Sequence, residues 1–231
     1  MTATISLAGV TVDLLADRAM FVHEGRTLIV ADVHWGKAAT FRALGVPVPH
    51  GTTRTGLDRL SALLDDTDAR QLIVLGDLWH ARAGKTPATL RAIEAWRTAR
   101  PALAITLVRG NHDLHAGDPP PALGITCVDA PLRFGPFALC HHPGDGQDGY
   151  VLAGHVHPVV RLHGRGRQRL TLPCFAFGAR GGLLPAFGEF TGGGVIDQRD
   201  FARTFVIADD SVLPLAVAGD AAQPPPYVTP G

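Results

Sequence analysis

Thr27-Leu28-Ile29-Val30-Ala31-Asp32-Val33-His34 sets the pattern of this chain: an apolar run ends in a carboxylate, and an imidazole follows two places on. A short apolar run bounded by Glu24-Gly25 on one side and polar residues on the other reads as a buried strand. The design recurs four times. Leu72–Leu75 runs into Gly76-Asp77, and Ile105–Val108 leads through Arg109 into Gly110-Asn111-His112-Asp113. Phe137–Cys140 runs into His141-His142-Pro143, and Tyr150–Ala153 into Gly154-His155-Val156-His157-Pro158. One such cluster carries little information, because Asp, Asn and Gly are ordinary turn formers at strand ends. Five of them point to one site assembled at one edge of a sheet, and the residue types are those of a two-metal hydrolase.

Short strands are expected before this stretch as well, over 4–8, 11–15 and 19–22, with Gly9 and Asp17-Arg18 between them. A helix is expected over 52–66, where Leu57, Leu60, Leu63 and Leu64 fall at helical spacing. A second is expected over 87–99. There Thr86 suits the N-cap, Pro87 suits the first helical position, and Leu90, Ile93 and Trp96 form one stripe. Strand and helix thus alternate up to Asn111, which implies parallel strands with crossover helices. Ligands of such sheets gather at the carboxyl ends of the strands, where Asp32, Asp77 and Asn111 lie. The second half reads as strands over 134–140, 151–153, 170–177, 194–197 and 203–208, joined by Gly-rich turns without a strong helical pattern. The expected architecture is a mixed α/β fold of two packed sheets, flanked by helices mainly from the first half. One domain is expected over 1–215, followed by an Ala/Pro/Gly-rich tail over 216–231 that reads as frayed.

Two divalent ions held ~3.5–4 Å apart can clamp the attacking and leaving oxygens of a phosphate ester. A carboxylate between them offsets their repulsion, and Asp77, at the end of the central run, is the bridging candidate. Asp32, His34 and His157 are candidates for one ion, and Asn111, His141 and His155 for the other. In extended chain, residues i and i+2 point the same way. Asp32 with His34, and His155 with His157, are therefore expected to address the site together. Gly76, Gly110 and Gly154 precede ligands and would let the backbone turn tightly and come close. An imidazole, carboxylate and amide set without thiolate favours Mn²⁺, with Fe or Zn²⁺ as alternatives, over Ca²⁺.

The motif series Asp32-x-His34, Gly76-Asp77, Gly110-Asn111-His112-Asp113, His141 and Gly154-His155-x-His157 resembles the calcineurin-like metallophosphoesterase superfamily. The resemblance implies a four-layer αββα sandwich and a binuclear centre of the Mn²⁺, Fe or Zn type. The stretch Asp32–Arg42, then Gly45–Pro49, His115–Pro121, Cys140–Pro143 and Leu183–Gly188, is similar to the ligase-associated DNA-damage-response endonuclease branch. That branch implies a DNA substrate, a role in bacterial DNA repair, and functional association with DNA ligase, helicase and exonuclease. The implied reaction is phosphodiester hydrolysis by metal-activated hydroxide. His112 is the candidate general acid, since an imidazole titrates near working pH, and Asp113 or a neighbour is a candidate to hold its tautomer. His142 would face away from His141 in a strand. His80 and His115 read as surface residues or as supports of the site.

Lys37, Arg82 and Arg109 lie near ligands in sequence. Each reads either as a contact to phosphate or DNA backbone or as a solvated loop charge. Trp35 and Trp79 could stack on a base or simply pack. The chain has 231 residues, 46% of them hydrophobic, enough for a sizeable core. Lys+Arg and Asp+Glu are 21 each, which argues against tight non-specific binding to nucleic acid by charge alone. Three widely spaced cysteines fit reduced thiols. The N-terminus shows no signal-peptide pattern, and no apolar run approaches the ~18 residues of a membrane span, so no membrane role and a cytoplasmic address are expected. Two rival readings remain beside the DNA enzyme: an esterase of small phosphate esters, and a catalytically silent assembly platform.

Overall fold

The computed structural model describes residues 1–216 apart from His50, Gln147, Arg165 and Arg167. All of the expected tail except Ala216 lies outside the described residues. Seven strands form the first sheet in chain order: β1 (Ala3–Leu7), β2 (Val10–Leu15), β3 (Ala19–Val22), β4 (Thr27–Ala31), β5 (Gln71–Leu75), β6 (Ala104–Val108) and β7 (Ile125–Val128). The first four make an antiparallel meander, and β4 to β7 run parallel. Four helices come from the intervening segments: α1 (Lys37–Ala43), α2 (Thr52–Thr67), α3 (Pro87–Thr98) and α4 (Asn111–Ala116). No α-helix follows Ala116 among the described residues. None of the helices is long and apolar enough to cross a membrane.

The second sheet has nine strands: β8 (Leu132–Phe134), β9 (Phe137–Cys140), β10 (Tyr150–Ala153), β11 (Pro158–His163), β12 (Arg169–Phe177), β13 (Gly181–Leu183), β14 (Gly194–Val195), β15 (Arg203–Ala208) and β16 (Ser211–Leu215). Within it β9, β10 and β13 are parallel neighbours. Together the two sheets and their helices form the expected mixed α/β sandwich.

Register positions the site. In the first sheet Ala31 pairs with Leu75 and Leu75 with Val108. In the second, Ala153 pairs with Cys140. The carboxyl ends of each parallel set are therefore level, and the polar clusters that follow emerge side by side. The period-2 alternation of a strand divides the apolar residues between two cores. Ile29, Ile73 and Leu75 pack between the sheets against Phe137, Leu139 and Phe175. Leu28, Val30, Leu72 and Val74 face the other way, onto Leu57 and Leu60 of α2 and Ile93 and Trp96 of α3. α3 starts as expected: Thr86 Oγ1 accepts from Thr89 N at 3.2 Å, with Pro87 following.

β7, β11, β13 and β16 were not among the expected strands, and three further details depart from expectation. The strand expected over 134–140 is a hairpin, because Gly135 takes φ 54 and Pro136 lacks an N–H for the ladder. Lys37–Ala43 is a helix, although its short alternation of Ala and polar residues gave no stripe to read. A segment after β13 also joins the first sheet: Ala186 bridges Ala31, and Phe187 N donates to Ala31 O at 2.8 Å.

Candidate metal centre

Asp32 and Asp77 follow β4 and β5 directly, and their side chains are sealed from solvent. Asp32 Oδ1 and Oδ2 accept from His155 N at 3.1 and 3.0 Å. Asp77 Oδ1 accepts from His112 N at 2.9 Å. The two turns are laced together: Asp32 N donates to Gly76 O at 3.2 Å, and His34 N to Asp77 O at 2.8 Å. Five of the seven expected ligands occupy the left-handed region, with φ of 54 at Asp32, 53 at His34, 53 at Asp77, 65 at His155 and 49 at His157. Asp32–His34 and His155–His157 are therefore not extended chain. Asp32 and His34 still meet, in one donor group with His157, through left-handed backbone that strand alternation did not contain, whereas His155 faces His141. Such conformations cost roughly 1–3 kcal/mol each and persist where the surroundings over-determine them.

Backbone carbonyls fix the imidazoles. A carbonyl can only accept, so the ring nitrogen facing it carries the hydrogen. His141 Nδ1 thus donates to Leu75 O at 3.0 Å, and His157 Nδ1 to Gly192 O at 2.9 Å. Both rings turn their Nε2 lone pairs inward. Three glycines leave the room this needs. A Cβ on Gly76, which has φ 73, would lie 2.1 Å from His141 Nδ1. On Gly110 it would lie 2.3 Å from Asp77 Oδ1, and on Gly154 2.5 Å from Asp32 Oδ2. The expectation of close approach holds at all three, and only Gly76 also needs the left-handed turn.

The donor set fits divalent cations. Carboxylate oxygens of Asp32 and Asp77 and a nitrogen of His141 lie within 4.8 Å of one another, as do ligand atoms of Asp32, His34 and His157. Two buried carboxylates this close need compensating positive charge. Burial pushes the Asp77 carboxyl up, against the opposing pull of His141. His34 Nε2 and His157 Nε2 are buried without a hydrogen-bond partner. Burial drives His34 down to about 2, with Lys37 adding to the effect, so its ring is a neutral lone-pair donor. Burial also works against the His157 imidazolium, but Asp32, 3.3 Å away, raises it overall. On the other side, His141 Nε2 lies 2.9 Å from Asn111 Oδ1, 3.1 Å from His155 Nδ1 and 3.4 Å from Asp77 Oδ1. With Nδ1 on the Leu75 carbonyl, His141 points Nε2 at the Asn111 and Asp77 oxygens, a donor set that a divalent cation would satisfy.

His112, on α4, has its Nδ1–H on the His80 carbonyl at 2.6 Å and its Nε2 3.8 Å from Asp77 Oδ2. Its tautomer is therefore held by His80. The expected role of Asp113 as its holder is corrected: Asp113 is buried and accepts from Trp79 N at 3.1 Å and Gly110 N at 3.0 Å, anchoring the start of α4. Arg109 is corrected as well. Its guanidinium grips Asp118 through two 2.8 Å bonds and Asp129 at 2.9 Å, so three of its five N–H groups and its charge are already taken by carboxylates. Arg82 is exposed on a short 3₁₀ turn beside α1, with no contact that draws it to the centre. Lys37 is half-buried close to the centre, where burial lowers its pKa while Asp32 and Asp77 oppose the shift.

His80 was expected only as a surface or supporting residue. Its ring stacks on His112 with centroids 5.1 Å apart, and with His34 and His112 it forms a third imidazole group. His142 is exposed beside His155, with ring centroids 4.8 Å apart. Trp35 and Trp79 are buried and pack edge to face, so they line the core. The Gly188–Gly192 turn had no metal-ligand signal, yet Gly188 N donates to Asp32 O at 3.0 Å and Gly192 O receives His157.

A sandwich whose parallel strand ends hold buried carboxylates and inward-turned imidazoles is the framework of a metal-dependent phosphoesterase. The chain belongs to the calcineurin-like phosphoesterase family, whose model matches residues 25–172. The crystal structure of the Pseudomonas putida nuclease MPE is similar to it, with 46% sequence identity and a TM-score of 0.83 over 93% of this chain and 100% of that one. Yfce, a phosphoesterase from E. coli, matches 80% of this chain and 95% of its own at 13% identity and a TM-score of 0.41. No curated protein matches the chain.

Proposed function

We propose that this phosphoesterase is a binuclear phosphodiesterase acting on DNA, in bacterial DNA repair alongside ligase, helicase and exonuclease functions. The observation that supports the binuclear reading is a pair of adjoining donor groups, Asp32 with His34 and His157, and Asp32 with Asp77 and His141. Asp77 reaches toward both, with Oδ2 4.0 Å from His34 Nε2 and Oδ1 3.4 Å from His141 Nε2, and Asn111 and His155 adjoin His141. The nucleic-acid reading is supported by the 46% identity to a nuclease over nearly the whole chain.

Divalent ions, Mn²⁺ first and Fe or Zn²⁺ next by donor type, supply Lewis acidity toward phosphate and a water made acidic enough to attack near neutral pH. The chain's own residues do the rest. Asp77 holds the middle of the centre, with one oxygen fixed by His112 N. His112 turns Nε2 toward the centre while Nδ1 stays on the His80 carbonyl, so a proton held at Nε2 is placed for an alkoxide leaving group. Lys37 is the cation placed for a substrate phosphate.

The test reloads metal-stripped protein with Mn²⁺, Fe²⁺, Zn²⁺ or Mg²⁺. Hydrolysis of bis-p-nitrophenyl phosphate and p-nitrophenyl phosphate is then compared. A Mn²⁺-restored preference for the diester is expected, and preference for the monoester overturns the phosphodiesterase reading. The formal net charge of zero favours the second reading, a small phosphate ester as substrate. Salt separates the two, since cleavage through several DNA phosphate contacts weakens steeply with ionic strength and hydrolysis of a small ester does not.

A further inference from the structure

The turn from Gly188 to Gly192 runs past the centre and is tied to it at both ends, through Asp32 and through His157. Thr191 Oγ1 donates to Gly188 O at 3.2 Å and tightens it. Phe190 stands inside this turn at φ 56, a conformation that a bulky aromatic residue rarely adopts. Its side chain gains little from the core, being 54% exposed. Strained backbone that presents an apolar ring to solvent at the edge of an active site marks a functional position more often than a packing one.

The ring stands at the rim of a small cleft of about 30 Å³, water-sized inside, whose other walls include His34, Lys37, Thr52, Thr53 and Arg59. Arg59 is engaged: it donates to Phe187 O and lies 4.0 Å over the Phe187 ring. Lys37 makes no hydrogen bond or ion pair among the described residues, and its Nζ lies 6.0 Å from the Phe41 ring. The cleft therefore combines an aromatic face, hydroxyl-bearing walls and an unpaired cation, and it opens beside His34 of the candidate metal centre. Those are the features that a base, a sugar and a phosphate require.

We propose that the nucleotide adjoining the scissile phosphate lies across the mouth of this cleft, with its base stacked on the exposed Phe190 ring and its own phosphate on Lys37. Phe190 is then a specificity-determining residue that distinguishes a polynucleotide from a small diester. The proposal rests on the phosphodiesterase reading above and gives that site its substrate contacts. Because both ends of the turn hold metal-ligand candidates, a base on Phe190 would be registered against the reacting centre.

The experiment compares the Mn²⁺-loaded full chain with F190A, F190W and K37A. The substrates are a dT 12-mer and an abasic tetrahydrofuran 12-mer with the same phosphates, and methyl p-nitrophenyl phosphate serves as a diester without a base. Wild type is expected to prefer the dT 12-mer by about 5- to 100-fold in kcat/KM, the range of one base–aromatic stack. F190A should erase that preference, F190W should keep it, and K37A should lower both 12-mers together. If F190A slows both 12-mers equally, Phe190 only holds the turn, and the proposal is overturned. If wild type cleaves neither 12-mer, fluorescence anisotropy of the labelled strands decides: weaker binding of dT alone by F190A supports the subsite, and equal binding overturns it. Failure to hydrolyse methyl p-nitrophenyl phosphate with any ion would sink the phosphodiesterase reading instead, and the anisotropy arm still judges the cleft.

Discussion

Asp32 and Asp77, at the ends of β4 and β5, are closed off from water, and each accepts a backbone N–H from across the centre. His155, beyond β10, is exposed, and the His157 side chain is 17% exposed. His141 and His157 are held by single backbone carbonyls. The contrast follows from charge. A carboxylate placed at the buried end of a strand is costly without a partner, so the first sheet must fix both acids before any ion arrives. A neutral imidazole is cheap to leave near solvent, and one hydrogen bond suffices to aim it. The first half of the chain thus sets the charge and position of the centre, and the second half closes it.

The contrast is broken most directly at Asp77. Asp77→Asn keeps the shape, removes the shared charge and should empty both positions. Metal content read by inductively coupled plasma mass spectrometry should fall for both ions, and activity should drop by more than the ~10²–10³-fold typical of one lost electrostatic partner. Loss of one ion only would show that Asp77 is not shared. His112→Ala should keep its metals and lose ~10²–10⁴-fold on an alkoxide leaving group. A p-nitrophenolate leaving group, which needs little protonation, should suffer far less. Equal losses on both would remove His112 as the acid.

On the imidazole side, Gly76→Ala forces a methyl group into His141 and should weaken metal binding by about 10–100-fold, the usual scale for disturbed ligand support. Titration with Mn²⁺ should show this while the fold survives by circular dichroism. Arg109→Gln tests the far edge of the acidic half. Its partners Asp118 and Asp129 are 49% and 83% exposed, so thermal or urea unfolding should register about 1 kcal/mol or less, with activity unchanged. A large loss of activity would restore Arg109 as a substrate contact.

The two halves were unequally legible in the amino-acid order. β3, β4, β15 and the helices α2 and α3 announced themselves through apolar runs, leucine spacing and the Thr86-Pro87 start, all local signals. The ligand candidates were legible as residue types at strand ends. Their left-handed backbones were not, because a positive φ at Asp or His is imposed by partners distant in sequence, such as Gly76 for Asp32. Arg109 illustrates the same limit. Beside Gly110-Asn111 it read as a phosphate contact or a solvated charge, yet the fold brings Asp118 and Asp129 to it and engages three of its N–H groups. α1, β7, β11, β13 and β16 carry no stripe or long apolar run, so only packing defines them.

The hydrogen bonds from His141 to Leu75 O and from His155 to Asp32 have a mechanical consequence. Each runs from one sheet to the other at the same edge, so the centre works as a clasp beside the apolar core that fills the space between the two leaves. Cations bound there join the leaves and stabilise the fold by mass action. Chelation should therefore lower the melting temperature and raise amide exchange at the β9 and β10 ends of the clasped edge before the helical side responds. A protein built this way would couple its stability to the supply of the metal that arms it.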